Sequence, residues 1–283
     1  MLRERTEKIL NKYGIRLSKK RGQSHLVDGE VLKRIVDYGD VSSTDRVLEI
    51  GPGIGNLTSF LLRKAGSVIA VEKDRMLVDA LRDRMGDEKN LEIVHGDVLE
   101  VDLPSVDKVV ANLPYSVSSP VTFRILEQSF ELAVLMYQKE FAERMVAKPG
   151  TSQYSRLSVN VSYRSHVELL EEVSPDKFIP QPDVSSAIVK LVPKRPDFEV
   201  RDDEVFFKTV RAAFQHRRKK IRNSLIYSLE EMFPDSDLSD DRKRNLIDEA
   251  IPEGLADRRA QELSPEKFGI ISNLLLEKRG SVD

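Results

Sequence analysis

The order of apolar runs constrains the fold more than any other feature of the sequence. Short apolar runs, typical of buried strands, lie at 46–51, 67–72, 91–97, 107–113 and 132–138. Segments with the apolar spacing of a helix separate them, at 56–64, 75–85 and 119–129. Strands that alternate with helices predict an α/β fold whose parallel sheet is covered by helices on both faces.

The pattern changes after Pro149 and again near residue 195. The segment 154–164 fits a helix or a strand, and two strands that close the sheet are predicted at 166–173 and 186–193. A polar, proline-bearing linker follows, and the pattern from Phe206 onward is helical. We therefore predict one domain over 1–195 and a small all-helical domain over 196–283.

The composition excludes several classes of protein. No apolar run approaches the roughly 18 residues of a membrane span, and the charged N-terminus has no apolar signal core. The chain has no cysteine, which excludes disulfides and thiolate ligands, and its four histidines are scattered. We predict a cytoplasmic protein with no membrane partner and no metal.

A glycine-rich turn follows the first predicted strand. "EIGPGIGNLT" (49–58) places Gly51, Gly53 and Gly55 between a strand and a helix, where glycine permits a positive φ and close approach of a ligand. The G-x-G-x-G spacing differs from the G-x-G-x-x-G that brings a helix N-terminus up to a pyrophosphate, which disfavours an NAD oxidoreductase. The turn suits a ligand without phosphates, and a tight turn that binds nothing is the alternative.

Acids end the next two predicted strands. Glu72 lies about 20 residues beyond the first glycine, where a carboxylate can accept both hydroxyls of a ribose. Asp97 follows Gly96 at the same edge of the predicted sheet, where it can accept a hydrogen bond from an adenine amino group. Either acid alone is typical of a solvated loop, but both beside the glycine turn predict an adenosine pocket. An adenosine ligand without a phosphate-binding turn indicates S-adenosylmethionine.

The stretch "NLPYSVSSP" (112–120) follows the fourth predicted strand. It places an amide, a backbone carbonyl and an aromatic ring together, since Pro114 has no N–H and biases Leu113 away from helix. Asn112 Oδ1 and the Leu113 or Pro114 carbonyl can accept hydrogen bonds from an exocyclic amine, and Tyr115 can stack on its base. Taken alone, the tetrapeptide also fits an Asx-type turn with a buried tyrosine.

Basic residues are concentrated although the net charge is −2. Residues 16–23 contain four Lys or Arg and no acid, and "RAAFQHRRKKIRNS" (211–224) contains six and no acid. The second stretch has the composition of a phosphate-binding helix, and a solvated helix face is the alternative. The residues that we predict to bind RNA are Arg211, Arg217, Arg218, Lys219, Lys220 and Arg222.

Together these motifs resemble the small-subunit ribosomal RNA adenine dimethyltransferases. The matching stretches, from about Ser18 to Leu225, are "GQSHLVD", "EIGPGIGNLT", "VEKD", "GDVLEVD", "NLPYSVSSP", "FIPQPDVSSAIV" and "FQHRRKKIRNSL". "MYQKEFAERMVA" is similar to the archaeal and eukaryotic branch. The resemblance implies a Rossmann-like class I S-adenosylmethionine methyltransferase sheet in the first domain and an RNA- or ribosome-contacting second domain.

The resemblance also implies an activity. The family transfers methyl groups from S-adenosylmethionine to N6 of two adjacent adenosines in the 3′-terminal hairpin loop of small-subunit rRNA. The products are N6,N6-dimethyladenosines, made during ribosome biogenesis. The implied partner is small-subunit rRNA or a pre-30S particle, with the protein acting as a monomer.

Roles for individual residues follow from the same resemblance. The implied cofactor-binding residues are Gln23, His25, Leu26, Gly51, Gly53, Gly55, Glu72, Asp97, Val98 and Asn112. The implied catalytic residues are Asn112, Leu113, Pro114, Tyr115 and Phe178. Phe178 is expected to sandwich the target base against Tyr115, with a core phenylalanine as the alternative. His25 departs from the family, which usually has Phe at that position.

Two rival functions share parts of this pattern. Methylases of large-subunit rRNA or of DNA have the glycine turn and a similar tetrapeptide, but "FQHRRKK" and the long C-terminal domain favour small-subunit rRNA. A non-catalytic assembly factor on a methylase scaffold is the second rival. The intact set of Gly51, Glu72, Asp97 and Asn112 argues against that loss of catalysis.

Overall fold

The computed structural model describes residues 2–15, 17, 24–232 and 239–280. The strands are β1 (His25–Leu26), β2 (Arg46–Ile50), β3 (Ser67–Glu72), β4 (Leu91–His95), β5 (Lys108–Asn112), β6 (Leu132–Gln138), β7 (Ser165–Val173), β8 (Phe178–Ile179) and β9 (Ser186–Pro193). The helices are α1 (Leu2–Lys12), α2 (Gly29–Tyr38), α3 (Thr58–Leu61), α4 (Arg75–Met85), α5 (Ser118–Leu126), α6 (Lys139–Met145), α7 (Arg156–Arg164), α8 (Asp203–Gln215), α9 (Ile221–Tyr227), α10 (Leu229–Met232), α11 (Asp240–Ala250) and α12 (Pro265–Gly280).

Seven strands form one sheet in the order β4-β3-β2-β5-β6-β9-β7. The first five are parallel, and β9 and β7 add antiparallel pairs at one side. Along the chain, β3 and β4 extend the sheet on one side of β2, whereas β5 and β6 extend it on the other, so the strand order reverses between β2 and β5. In an open α/β sheet, the crevice at such a reversal is the usual ligand site. The predicted Rossmann-like α/β fold is confirmed by this topology.

The parallel strands form because their apolar runs are covered on both faces. All but the first residue of β2 and of β3 are buried, as expected for strands between two layers of helices. The antiparallel strand β7 is different, because only its two end residues are buried and its other seven are partly buried or exposed. This pattern is typical of an antiparallel edge strand that is not covered on both faces.

Two helices, α2 and α4, begin at aspartates that cap their first turns. Asp28 ends the segment that follows β1 and accepts hydrogen bonds from the backbone N–H groups of Glu30 and Val31 at the start of α2. Asp74 lies two residues beyond β3 and accepts one from Met76 at the start of α4. These caps satisfy N–H groups that the first turn leaves without partners, which fixes where each loop ends.

Contacts between Cα atoms divide the chain into two compact units, Met1–Glu143 with Ser165–Pro193 and Arg144–Arg164 with Lys194–Asp283. We call them the sheet unit and the helical unit. The predicted boundary at residue 195 lies close to the point where the chain enters the helical unit for the second time, after Pro193. Residues 144–164 also belong to the helical unit, whereas the sequence predicted one continuous first domain. The segment 156–164, ambiguous in sequence, is helix α7.

The helical unit has its own core. Tyr163, Phe206 and Phe268 are buried there, and the Tyr163 and Phe206 rings lie with centroids 4.4 Å apart. The Tyr163 hydroxyl donates to Asp203 at the start of α8. Tyr163 belongs to α7, so its ring contacts explain why this helix groups with residues beyond 194. The predicted all-helical character of the C-terminal region is confirmed.

Candidate active site

A cavity of about 530 Å³ lies in the sheet unit at the carboxyl ends of β2, β3 and β5. Most of the sequence-predicted site residues of this unit line it together. They are His25, Leu26, Gly51, Gly53, Glu72, Asp97, Val98, Asn112, Leu113, Pro114 and Tyr115. Gln23 lies outside the described residues. The cavity is at the position that the strand order indicates for a ligand.

The glycine turn forms the floor of the cavity beside Pro114. Gly51 and Gly53 have φ of 67° and 59°, in the left-handed region that favours glycine. A Cβ at Gly51 would lie 3.3 Å from Pro114 Cδ, so the two motifs pack against each other. Gly55 does not line the cavity, because a Cβ there would point at Leu81 Cδ1, 2.6 Å away. Gly55 therefore packs closely on α4, and its contact with the cofactor stays a prediction.

Glu72 is buried at the end of β3 and is linked to the glycine turn. Its Oε2 accepts a hydrogen bond of 3.1 Å from the Gly53 N–H, and its Oε1 accepts one of 2.9 Å from the Asp74 N–H. Burial raises the pKa of the Glu72 carboxyl, and these two N–H groups oppose the rise. Each oxygen keeps a lone pair for a hydroxyl donor.

Asp97 and Val98 bound the cavity beyond β4. The Lys73 ammonium lies 2.5 Å from Asp97 Oδ2 and lowers the pKa of the Asp97 carboxyl, with help from the Leu99 N–H. Asp97 therefore carries a negative charge at neutral pH and accepts hydrogen bonds. Val98 is buried beside it and offers an apolar wall.

Asn112 is the last residue of β5, and its side chain is anchored on one side. Its Nδ2 donates a hydrogen bond of 3.2 Å to the Ser24 carbonyl, which leaves Oδ1 as the acceptor of the amide. The Pro114 carbonyl accepts the Val117 N–H at 3.1 Å and closes a 3₁₀ turn over Tyr115–Val117. One lone pair of the Pro114 carbonyl oxygen is thus used inside the turn. The Leu113 carbonyl lies before the turn and does not close it.

Tyr115 is half-buried and its ring is held by a hydrogen bond. The phenol oxygen and Ser186 Oγ are 2.5 Å apart, and Ser186 is the fully buried first residue of β9. Burial raises the pKa of the Tyr115 hydroxyl, so it stays protonated at neutral pH. This bond holds the phenol oxygen, and with it the position of the ring, against the start of β9.

Phe178 does not join Tyr115 in the cavity. Its side chain is 1% exposed and packs in the core cluster with Leu26, Val173 and Ile188. The ring is therefore buried in this structure, as the core alternative describes, and its contact with a target base stays a prediction. Phe178 acts through its backbone, because β8 pairs antiparallel with β1 and places Phe178 opposite Leu26.

His25 lies directly against the glycine turn. A Cβ on Gly53 would lie 2.3 Å from His25 Cε1 and 2.7 Å from its Nδ1. Burial lowers the pKa of His25 to about 4, so the imidazole is neutral at physiological pH. A neutral ring on the cavity wall provides a flat surface with polar atoms.

Glu49 is a cavity residue that the sequence reasoning missed. It belongs to β2 and lines the cavity, yet it is 1% exposed and its Oε2 has no hydrogen-bond partner. Burial raises the pKa of the Glu49 carboxyl to about 8, and the nearby Glu72 contributes to the rise. The signal in sequence was an acid within an apolar strand, immediately before the glycines.

In the helical unit, residues 211–224 do not form the single helix predicted from their composition. α8 ends at Gln215, a turn follows, and α9 begins at Ile221. Four of the six predicted RNA-binding side chains have partners within the unit: Arg211 with Glu231, Lys220 with Asp257, Arg222 with Asp248, and Arg217 with the carbonyls of Ser152 and Tyr154. Arg218 and Lys219 have no carboxylate partner among the described residues.

Two sequence expectations concern membranes and metals. No helix within the described ranges combines the length and hydrophobicity needed to cross a bilayer. Over the same residues, no group of three or more His, Asp or Glu side chains is arranged to hold a metal ion.

Comparison with known proteins identifies the family. The model of the ribosomal RNA adenine dimethylase family matches residues 14–245, which is most of the chain. This chain belongs to the ribosomal RNA adenine dimethylase family. The prediction of an rRNA adenine dimethyltransferase is thereby confirmed.

Relatives support the assignment over the full length. A protein of Methanococcoides burtonii named "Probable ribosomal RNA small subunit methyltransferase A" is 45% identical over 274 residues, 97% of this chain and 98% of its own. The protein of the same name from Methanothermobacter thermautotrophicus is 44% identical over 279 residues, 98% and 97% of the two chains. These archaeal relatives agree with the branch that "MYQKEFAERMVA" indicates.

Solved structures share the fold. The crystal structure of a dimethyladenosine transferase from Plasmodium falciparum has a TM-score of 0.76 and 31% identity, covering 89% of this chain and 97% of its own. The 23S rRNA methyltransferase ErmE has a TM-score of 0.64 and 27% identity, covering 88% and 98%. The methyltransferase fold predicted from the sequence is confirmed by these similarities.

The contact between His25 and Gly53 of the dimethylase generates a stability prediction. Gly53→Ala should destabilise the protein through both the positive φ and the clash with the imidazole. In a His25→Ala background, the penalty should fall to the left-handed strain alone, about 1–2 kcal/mol. Urea unfolding of the four proteins of this double-mutant cycle measures the difference.

Gly14→Ala is the matched control for this cycle. Gly14 has φ of 62°, and nothing lies within 4 Å of a Cβ built there, so only the strain applies. If Gly53→Ala lowered the free energy of unfolding equally in the wild-type and His25→Ala backgrounds, the predicted contact between His25 and Gly53 would be refuted.

Glu49 makes the stability of the ligand-free dimethylase depend on pH. Its pKa is about 8 in the folded protein and near 4.5 when unfolded, so the folded state binds more protons between these values. Stability therefore falls as pH rises through this window. Glu49→Gln cannot ionise, and its free energy of unfolding should gain a few kcal/mol on wild type between about pH 5 and pH 8.

Urea unfolding at several pH values measures this gain. Glu127→Gln is the control, since it removes an exposed carboxyl at the end of α5. If the free energy of unfolding of Glu49→Gln differed from that of wild type by the same amount at every pH in the window, Glu49 would not be a buried carboxyl with a raised pKa.

Proposed function

We propose that this protein transfers methyl groups from S-adenosylmethionine to N6 of two adjacent adenosines in the 3′-terminal hairpin loop of small-subunit rRNA. The products are N6,N6-dimethyladenosines, formed during ribosome biogenesis. The observation that carries the proposal is the anchored amide of Asn112, whose free Oδ1 lies at a cavity that also contains Glu72 and Asp97.

The residues of the cavity fit S-adenosylmethionine. Glu72 has acceptor capacity for the ribose hydroxyls, Asp97 for the adenine amino group, and Val98 packs on the adenine ring. The unpartnered Oε2 of Glu49 suits the positively charged methionine end. The backbone of Gly51 and Gly53 permits close approach along the turn. When bound, this cofactor supplies an electrophilic methyl group on a sulfonium sulfur.

Charge complementarity supports this assignment. A carboxyl with a pKa raised by burial is stabilised as a carboxylate by an incoming cation, so Glu49 favours the cofactor over a neutral nucleoside. His25 faces the same turn as a neutral group and adds no opposing charge. Leu26 closes the wall behind it.

Asn112 and Leu113 activate the adenine amine. The nitrogen lone pair of adenine N6 is delocalised into the ring, so the amine is a poor nucleophile. Asn112 Oδ1 and the Leu113 carbonyl accept its two N–H groups and hold it in the geometry that localises the lone pair. Pro114 follows them with an extended backbone, and it biases Leu113 away from a helical conformation. The ammonium that forms on transfer is acidic enough to lose its proton to water, and no side chain needs to act as a strong base.

Tyr115 holds the target base after it leaves its own stack. The hydrogen bond to Ser186 holds the ring in position, so less conformational entropy is lost when a base stacks on it. Positioning by this ring and by the two acceptors provides most of the rate enhancement.

The helical unit and the basic residues bind the RNA. Arg218 and Lys219, which have no carboxylate partner among the described residues, bind phosphates, while the other four predicted residues hold the local structure through their partners. Their contribution is salt-dependent affinity with little sequence information. The substrate is small-subunit rRNA or a pre-30S particle, and we propose that the protein acts on it as a monomer in the cytoplasm.

A methylation assay tests the reaction. Purified protein and labelled S-adenosylmethionine are incubated with under-methylated 30S particles, with 50S particles in parallel, and the RNA is digested to nucleosides. Dimethyladenosine should appear in RNA from the 30S particles alone. Label in 50S RNA only would assign the large-subunit alternative, and no label in dimethyladenosine would reject the proposal.

Substitution of Asn112 separates chemistry from cofactor binding. Asn112→Ala should lower the rate of methyl transfer about 10²-fold or more, as expected for the loss of one hydrogen-bonding group at a reacting centre. The affinity for the cofactor, measured by calorimetry, should be unchanged. Asn90→Ala is the matched control, because the Asn90 amide donates to the carbonyls of Leu62 and Ala65 outside the cavity. An equal loss of binding and transfer in Asn112→Ala would overturn the assigned role.

A further inference from the structure

Tyr227 is an aromatic ring that neither the core nor the cavity uses. It is the last residue of α9 in the helical unit and is 65% exposed. Among the described residues, it is the one aromatic side chain that is both large and exposed. Exposed apolar residues are ordinary when scattered, so the surroundings of the ring decide whether it has a role.

Two neighbours hold the Tyr227 ring in place. The Lys219 ammonium lies over it, 4.3 Å from its centroid, and the His216 ring meets it at 61° with centroids 5.4 Å apart. Both neighbours come from the turn between α8 and α9, where the Lys219 N–H donates to the His216 carbonyl at 2.7 Å. The ring is therefore oriented by a cation–π contact and an edge contact before any partner arrives.

The charges around Tyr227 are unbalanced. Arg222 and Lys220, on either side of Ile221, are neutralised by Asp248 and Asp257. Lys219 and the exposed Arg218 have no carboxylate partner in the described part of the chain. Within the described residues, the turn before Tyr227 thus supplies two cations without a carboxylate partner, and one of them, Lys219, contacts the oriented ring.

We propose that Tyr227 is a stacking platform for an unpaired nucleobase of the RNA substrate, and that Lys219 and Arg218 bind the phosphates beside that base. The inference rests on the proposed function, since it specifies how the helical unit contacts RNA. It goes beyond that proposal by assigning a site for a single-stranded nucleotide, separate from the cavity residues that act on the target amine.

The combination fits RNA better than an acidic protein surface. Single-stranded nucleic acid offers a flat base and a phosphate every nucleotide, which is what an aromatic ring with adjacent cations recognises. An acidic peptide needs the cations alone and gives the exposed ring nothing to stack on. Stacking of this kind tolerates every base, so the site adds affinity and register without reading sequence.

Binding of labelled oligonucleotides to the full chain tests the inference. The probes are a fluorescein-labelled single-stranded oligoadenylate and an abasic strand of the same length, titrated by fluorescence anisotropy over a range of KCl concentrations. Tyr227→Ala should weaken oligoadenylate binding about 5- to 150-fold and leave binding of the abasic strand unchanged. Tyr227→Phe, which keeps the ring, should bind like wild type.

Salt dependence separates the ring from the charges. Tyr227→Ala should keep the wild-type slope of log affinity against log salt, whereas Arg218→Ala should reduce the slope by about 0.7. Ile270→Ala is the matched control for the loss of an exposed apolar side chain, since Ile270 is 42% exposed in the same unit. It should change neither affinity nor slope.

Three outcomes overturn the stacking site. They are unchanged oligoadenylate affinity in Tyr227→Ala, an equal loss for the abasic strand, and an equal loss for polyglutamate, which would assign the surface to acidic proteins. The methylation assay is read separately. A protein that methylates 30S particles with unchanged affinity in Tyr227→Ala loses only this inference, and one that fails to methylate but shows ring-dependent binding loses only the proposed reaction.

Discussion

The hydrogen bond from the Gly53 N–H to the Glu72 carboxylate is the interaction on which the site depends. It joins residues 19 apart in sequence and ties the glycine turn after β2 to the end of β3. The bond is made by a turn with positive φ at Gly51 and Gly53, a conformation that favours glycine. With the turn so placed, Gly51 packs on Pro114 and His25 packs on Gly53, which brings three segments around one cavity.

The groups that meet the substrate are fixed by residues distant in sequence. Asn112 is oriented by the carbonyl of Ser24, 88 positions away, and Tyr115 by the hydroxyl of Ser186, 71 positions away. Ser24 is in turn placed by β1, whose pairing with β8 depends on the buried Phe178. A loosened β1–β8 pair would therefore disorder the Asn112 amide together with the cavity wall that His25 and Leu26 form. Preorganisation of this kind is what lets a weak nucleophile react by positioning.

The sequence predicted the parts of the molecule that local patterns specify. Apolar runs placed β2 to β6 because a buried strand must be apolar along its length, and the glycines and strand-end acids placed the cavity. It could not specify what a side chain packs against. The Phe178 ring is buried in the core, and Gly55 packs closely against Leu81 of α4. Glu49 looked like an ordinary strand residue, since its burial without a partner is visible only in three dimensions.

The basic stretch illustrates why composition overstates a binding surface. Its acid-free sequence suggests six free charges, but the compensating carboxylates of Glu231, Asp248 and Asp257 come from other parts of the helical unit. Paired charges hold the α8–α9 turn in shape and release few counterions on binding, so they add little to salt-dependent affinity. What remains is a compact surface of two cations beside an oriented ring. Such a surface places one nucleotide rather than attracting any polyanion, which is what an enzyme that modifies two particular adenosines requires of its second contact.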